Sequence, residues 1–267
     1  MKSKNSQVIV ITGASSGIGQ AAADYLATLG HRVYGLSRSN GSTAPVTYIP
    51  CDVTKRSSIV EAIQQIITLE GTIDVFINNA GMGVSGAVEY STEQDLSASI
   101  DVNLTGLIQA TQIVLPYVRL SKGLIINMSS VAGILAIPFQ AYYSLTKAAV
   151  IQFSKALALE TKPFGVRIAC ILPGDTKTSF TKNRHQPAIL IDVVYHHRIQ
   201  RSLERMEKDE IKGDSPIKVA KVIHRVICKK NPAIVNIVGF NYQFLVLLSR
   251  ILPTRLVQWI LYQMYAK

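Results

Sequence analysis

Short uninterrupted apolar runs alternate along this chain with longer segments whose apolar residues recur at helical spacing. The first run, Val8-Ile9-Val10-Ile11-Thr12, follows a polar start and is too short for a signal-peptide core, so it predicts a strand. Further strands are predicted over residues 32–37, 46–49, 73–77, 166–172 and 233–238. Between them the pattern predicts an alanine-rich helix to Leu29, a helix beginning near Lys55, and long helices over 95–120 and 142–162. Another helix opens at Pro216, a favoured first position, and ends near Lys229. Strands separated by helices define an α/β chain, and 267 residues suit one domain, 1–267, with a large core.

Two stretches break the alternation. Residues 175–215 form a long charged excursion directly after a strand, with Ile189-Leu190-Ile191 and Val193-Val194 among basic residues. A substrate lid belongs at such a place. His185, His196 and His197 fall within it, but adjacent histidines point different ways on a helix, so no metal site is expected. Residues 240–267 form an apolar helical extension, interrupted at Pro253 well short of the ~18 apolar residues that span a bilayer. Its last helix is apolar almost all round and is flanked by Arg250, Arg255 and Lys267. Three readings stay open for this tail. It buries in its own domain or a dimer partner, lines the entrance for a lipophilic substrate, or makes peripheral membrane contact with Trp259 at the interface.

Charge and cysteine content add little to this frame. The 28 basic and 17 acidic residues give +11, which suits an anionic cofactor or an anionic membrane surface. No nucleic-acid motif accompanies the charge, so no nucleic-acid partner is expected. Cys51, Cys170 and Cys228 are scattered and odd in number, which argues against a disulfide framework and for a reducing, cytoplasmic setting.

Candidate chemistry begins at the first turn. Gly13-Ala14-Ser15-Ser16-Gly17-Ile18-Gly19 between a strand and a helix aims backbone N–H groups at a helix N-terminus, where a pyrophosphate is favoured. After the second strand come Ser37 and Arg38, where an NAD site would place a carboxylate against the ribose 2′-hydroxyl. A guanidinium matches a 2′-phosphate, so NADP(H) is preferred over NAD(H), the alternative. Asp52, followed by Val53, accepts the adenine amino group or caps the helix beginning near Lys55. In Asn78-Asn79-Ala80-Gly81 the small pair lets backbone lie against the cofactor, while Asn78 equally suits a structural tie between strand ends. Asn103, an amide in mid-helix, either has a specific partner or is a tolerated surface residue. Tyr143 and Lys147 are four apart and share one helix face, where the cation favours the phenolate of a group whose ordinary pKa is near ~10. An isolated pair of this kind is more often a core tyrosine and a solvated lysine.

Thr12 through Gly19, Asn78 through Gly81, Ser130, Tyr143-x-x-x-Lys147 and Pro173-Gly174 together resemble, in order and spacing, the short-chain dehydrogenase/reductase family over roughly residues 7–180. The resemblance implies a doubly wound Rossmann-type fold, with a seven-stranded parallel sheet and helices on both faces. It implies hydride transfer between NAD(P) and a carbonyl or alcohol, and a homodimer or homotetramer paired through helix 142–162, for which burial within the monomer is the alternative. By the same mapping Tyr143 is the acid or base, Lys147 lowers its pKa and holds the nicotinamide ribose, and Ser130 bonds the substrate oxygen, with Ser129 a structural neighbour. Asn103 would hold a water beside the lysine, and Ser15, Ile18, Asn79, Pro173 and Thr178 fall on cofactor positions. Thr176 stands where the family commonly has an aliphatic residue whose backbone meets the nicotinamide. The expected activity is carbonyl reductase or alcohol dehydrogenase on an apolar steroid, sphingoid or lipid-like substrate. A sugar or polyol dehydrogenase and a non-catalytic NADP-binding sensor or scaffold are the alternatives.

Overall fold

The computed structural model describes residues 6–39, 45–178, 180 and 194–267. His185, Ile189-Leu190-Ile191 and Val193 of the predicted lid lie outside them. Strands β1 (Val8–Thr12), β2 (Arg32–Ser37), β3 (Thr47–Pro50), β4 (Val75–Asn78), β5 (Leu124–Met128), β6 (Arg167–Leu172) and β7 (Val235–Ile237) form one sheet in the order β3-β2-β1-β4-β5-β6-β7. All neighbours are parallel, with Ile9 opposite both Val33 and Val75. Continuous apolar runs suit such strands because both faces of a parallel sheet are covered. Ile9, Ile11, Ile77 and Ile126 pack on α1 (Gly17–Thr28) and α7 (Pro216–Cys228). The alternate residues Val8, Val10, Phe76 and Ile125 pack on α2 (Arg56–Glu70), α4 (Gly106–Leu120) and α5 (Ala141–Thr161). The winding reverses between β1 and β4, so the loops at their carboxyl ends part and leave a crevice.

The turn between β1 and α1 depends on missing side chains. Gly13 has φ +65°, and a Cβ there would stand 2.7 Å from Ala80 Cα. A Cβ on Gly19 would collide with the Gly13 carbonyl, so α1 could not sit this close to the strand.

The predicted helix over 95–120 is divided. A capping box of Thr92 and Asp95 opens α3 (Glu93–Ile100), and a π turn at Asp101–Thr105 joins it to α4. The wider turn places Asn103 inward at 0% exposure, so the surface reading of this residue fails. The 175–215 excursion contains a helix that apolar periodicity did not announce, α6 (His196–Lys212). The excursion leaves and re-enters at one point, where Thr176 bridges Asp214 and Lys177 N donates to Asp214 O at 2.9 Å. The tail forms α8 (Phe240–Ile251) and α9 (Thr254–Tyr265), and α9 is tied to α6 by Arg198 Nε donating to Ala266 O at 2.8 Å. Among the described residues no helix is long and apolar enough to cross a membrane.

Candidate active site

A cavity of about 670 Å³ runs from the carboxyl ends of β1 and β2, past β4, β5 and β6, to the inner faces of α8 and α9. Every residue singled out above for catalysis or cofactor binding lines it except Gly19, which serves the packing of α1, and Asn103, which is buried behind the wall.

At one end the cavity has the character of an anion cradle. Ser16 caps α1 without a side-chain hydrogen bond and the first turn carries no acidic residue, so the helix N-terminus faces the cavity with its N–H groups. Thr12 Oγ1 accepts from Asn79 N and Ala80 N, both at 3.0 Å, and Asn79 Nδ2 donates to Thr12 O at 3.0 Å and Gly13 O at 3.1 Å. Asn79 thus clamps the glycine turn from across the crevice. Asn78 takes the structural role, donating to Thr111 Oγ1 at 3.0 Å and to Asn127 Oδ1 at 2.9 Å. Ser37 is buried and Arg38 is exposed at the rim. Asp52 does not cap α2, whose N-cap is Lys55; it accepts instead from Thr54 N at 3.0 Å and Thr54 Oγ1 at 2.8 Å. Burial pushes the Asp52 carboxyl up, but the Thr54 bonds and the charges of Arg38 and Lys55 outweigh it and hold it below the usual range. The donor set fits a dinucleotide: unspent helix amides for a pyrophosphate, with a guanidinium one strand away.

The middle of the cavity holds the tyrosine and the lysine. Lys147 is 5% exposed, so it is not a solvated lysine. Its Nζ donates to Met128 O at 3.1 Å and stands 5.6 Å from the centroid of the Tyr143 ring. Burial lowers its pKa from 10.5 to about 8, with Cys170 opposing the shift. The Cys170 thiol is itself pushed up to about 11, chiefly by burial, so it stays neutral at neutral pH. A Cβ on Gly81 would lie 3.2 Å from Asn103 Oδ1 and 3.5 Å from Lys147 Nζ, so this glycine keeps space open beside the ammonium. Asn103 Oδ1 accepts from Met82 N at 2.8 Å, and Nδ2 donates to Met82 O at 2.9 Å and Thr146 Oγ1 at 3.3 Å. Both amide protons are therefore spent on holding the Gly81-Met82 segment against α5. Ser129 Oγ donates to Lys147 O at 2.7 Å, the structural part expected of it. Ser130 Oγ accepts from Ala132 N at 3.1 Å and lies 3.4 Å from Pro173 O. Thr176 is buried with its hydroxyl on Gly174 O at 3.0 Å, which fixes the loop where an aliphatic residue was expected to pack.

The far end contains wall residues that the sequence did not single out, among them part of the tail, for which lining the substrate entrance was one of three readings. Leu135, Ile137, Gln140, Met206 and Glu210 form its side walls. Tyr242 lays its ring over Gly174, where a Cβ would collide with it, and its hydroxyl donates to Asp175 Oδ2 at 2.6 Å. Val257, Ile260, Leu261 and Met264 of α9 complete the wall. Their i, i+3, i+4, i+7 spacing is legible in the sequence, but Leu256, Trp259 and Tyr262 on the opposite, exposed face hide it.

Sheet order, glycine turn and the Tyr143–Lys147 pair define a dinucleotide-binding oxidoreductase of Rossmann type. The short chain dehydrogenase family model matches residues 7–188, and the chain belongs to that family. A 3-ketodihydrosphingosine reductase of Bacteroides thetaiotaomicron is 40% identical over 264 residues, which cover 97% of this chain and 98% of the relative. A 3-oxoacyl-(acyl-carrier-protein) reductase of Thermotoga maritima is 34% identical over 194 residues, covering 68% of this chain and 79% of the relative. The crystal structure of a short-chain dehydrogenase from Streptomyces avermitilis matches with a TM-score of 0.83 at 27% identity, covering 96% of this chain and 97% of that one. The protein is an oxidoreductase of carbonyl or alcohol compounds that uses a nicotinamide coenzyme.

Proposed function

We propose that the protein reduces the ketone of a long-chain sphingoid-type substrate with NADPH, the whole chain acting as one domain. The observation that carries this reading is that α8 and α9 contribute aliphatic side chains to the same cavity that Ser130 and Tyr143 line. Likeness to a 3-ketodihydrosphingosine reductase along nearly the full chain supports the same substrate class. A sugar pocket would need polar groups along these walls, and the inner face of α9 offers Val257, Ile260 and Leu261.

When bound, the coenzyme supplies hydride chemistry. The α1 amides with Ser15, Ser16 and Ile18 hold its pyrophosphate end, and Arg38 with Ser37 receives a 2′-phosphate, the basis for preferring NADPH over NADH. Asp52, Val53, Asn79, Ala80 and Gly81 border the adenosine and ribose path, and Pro173, Gly174, Thr176 and Thr178 border the nicotinamide. Ser130 and Tyr143 place two hydroxyl donors where negative charge develops on the carbonyl oxygen. As the carbonyl carbon becomes tetrahedral, Tyr143 gives its proton to the oxygen, and the resulting phenolate is stabilised by the Lys147 ammonium. A lysine with a pKa of about 8 is charged at neutral pH and still exchanges protons readily, so it can return the proton toward Tyr143. Asn103 positions Gly81-Met82 rather than touching substrate, and a relay water beside it would rely on main-chain atoms.

In this reading α6, the described helix of the 175–215 segment, serves as the substrate cover, supported by Met206 and Glu210 on the cavity wall. The outer faces of α8 and α9 expose Phe240 (79%), Ile251 (72%) and Trp259 (57%) beside Arg250 and Arg255, and we assign this face to peripheral contact with a membrane that stores the substrate. Exposure of Leu145 and Leu159 on α5 supports that helix as the pairing surface between copies. The test follows nicotinamide absorbance with each coenzyme against 3-ketodihydrosphingosine and a panel of sugars. NADPH-dependent turnover of the lipid with kcat/KM at least ~100-fold above any sugar is expected, a ratio that pocket chemistry readily supplies. Comparable activity on sugars overturns the substrate class.

A further inference from the structure

We propose that Tyr242 is a positioning residue of the coenzyme site: its hydroxyl fixes the Gly174-Asp175 main chain that borders the nicotinamide, and so makes the apolar tail part of coenzyme binding. The inference rests on the coenzyme placement given above and adds to it a residue from the opposite, apolar end of the cavity.

Segment 173–176 has two reasons to need holding. Pro173 O accepts from Val131 N at 3.0 Å and lies 3.4 Å from Ser130 Oγ, so a shift here moves a hydroxyl donor of the reaction together with the coenzyme border. Gly174 has no side chain to pack and leaves the main chain a wide conformational choice. Two elements act on the next residue. The returning end of the excursion holds Asp175 O through Asp214 N at 2.9 Å. Tyr242 adds two bonds from the tail: its hydroxyl donates to Asp175 Oδ2 at 2.6 Å and accepts from Asp175 N at 3.0 Å. One phenol oxygen thus grips both the side chain and the main chain of a single residue, and the short bond to a carboxylate is of the stronger, charge-assisted kind.

The grip has a firm base. The Tyr242 ring covers Gly174, where a Cβ would collide with it, and packs against the apolar cluster that contains Val131, Leu172 and Val246. Burial first, and then the Asp175 carboxylate, raise the pKa of this phenol, so it keeps its proton at neutral pH where Tyr143 gives one up. Other ties of the tail end on α6: Arg198 Nε on Ala266 O at 2.8 Å, and the Tyr265 hydroxyl 3.4 Å from Asp209 Oδ2. The Tyr242 tie ends on the coenzyme border instead. Tyr242, Leu245 and Ser249 follow one face of α8 and all line the cavity, so the helix that offers Leu245 to an alkyl chain also holds the loop beneath the reacting end.

The experiment compares wild type with Tyr242→Phe and with Tyr262→Phe, which removes an exposed hydroxyl from the same tail. NADPH affinity is read by fluorescence titration without substrate, and kcat and KM are measured on 3-ketodihydrosphingosine. Tyr242→Phe keeps the ring over Gly174 and loses the hydroxyl alone. Its NADPH dissociation constant is expected to rise ~10-fold, the scale of a residue that acts through another, and its kcat to fall. Its KM for the ketone is expected to stay within about twofold, because the aliphatic wall of α8 is intact. Tyr262→Phe is expected to match wild type. Unchanged NADPH affinity in Tyr242→Phe overturns the proposal, and so does a raised ketone KM at normal NADPH affinity, which places Tyr242 in the substrate wall alone. Hydrogen exchange of wild type decides the matter even if the variant fails to fold: NADPH should slow amide exchange over 240–245 as well as over 173–178. Slowing over 173–178 alone overturns the role of Tyr242 and leaves the coenzyme placement standing. Slowing over neither overturns both.

Discussion

Lys147 illustrates at the scale of one residue how function and stability pull apart. Its ammonium is buried beside Tyr143, and burial is what lowers its pKa, against an opposing pull from Cys170. Below pH 8 the lysine is charged in both folded and unfolded chains, and the folded state bears the full desolvation cost. Between about 8 and the ordinary 10.5 the folded lysine has lost its proton while the unfolded one keeps it. The unfolded chain then binds more protons, so stability rises with pH across that window. Lys147→Met abolishes this rise: in urea titrations of the coenzyme-free protein, the stability of wild type relative to the variant should increase from pH 8 to pH 10. A flat difference would mean that the lysine is not desolvated. Tyr143→Phe tests the neighbouring role. Coenzyme affinity by fluorescence titration should be unchanged while turnover drops at least ~100-fold, the scale of general acid catalysis; near-normal turnover removes Tyr143 from the mechanism. The shared face of the pair was legible because i and i+4 meet on a helix, but its chemistry was legible only from the motifs that accompany it. The anchoring of Asn103 through Met82 was not, because the partner is main chain of a loop 21 residues away.

Among the elements, strands were easier to read than helices. A parallel strand covered on both faces has to be apolar throughout, so β1, β2 and β6 stand out within a residue of their bounds. The π turn at Asp101–Thr105 was invisible because it keeps helical composition. Helix α6 was hidden for another reason: it is strongly charged, and its buried residues, Ile199, Ser202 and Met206, are few and of mixed polarity. In α9 both faces are apolar, one toward the cavity and one toward solvent, so periodicity could not say which face was inside. That two-sidedness leads to a prediction. Trp259→Ser changes the outer face and spares the cavity wall, so co-sedimentation with phosphatidylcholine–phosphatidylglycerol vesicles should weaken ~10-fold, as expected when a large interfacial aromatic is lost. Activity on a detergent-dispersed substrate should hold. Unchanged sedimentation would assign the exposed tryptophan to some other contact.

At the scale of the whole molecule, the proposed membrane contact would draw on two separable contributions, the net charge of +11 and the apolar outer patch. Basic residues near an anionic leaflet each add roughly 1 kcal/mol, and that attraction fades within a Debye length of about 8 Å at physiological salt. Apolar insertion by α8 and α9 is not screened in this way. The two contributions therefore separate in a salt series. Vesicle binding should fall as NaCl rises from 50 mM to 500 mM and level off at a residual value that Trp259→Ser lowers further. Vesicles without anionic lipid should start near that residual value and respond little to salt. Binding that vanishes entirely at high salt would leave the apolar face without a part in membrane contact. Binding indifferent to salt would mean that the positive charge serves the coenzyme end alone. In the expected case one surface does both jobs, since the helices that touch the bilayer also wall the cavity, and a lipid can pass from one to the other without crossing water.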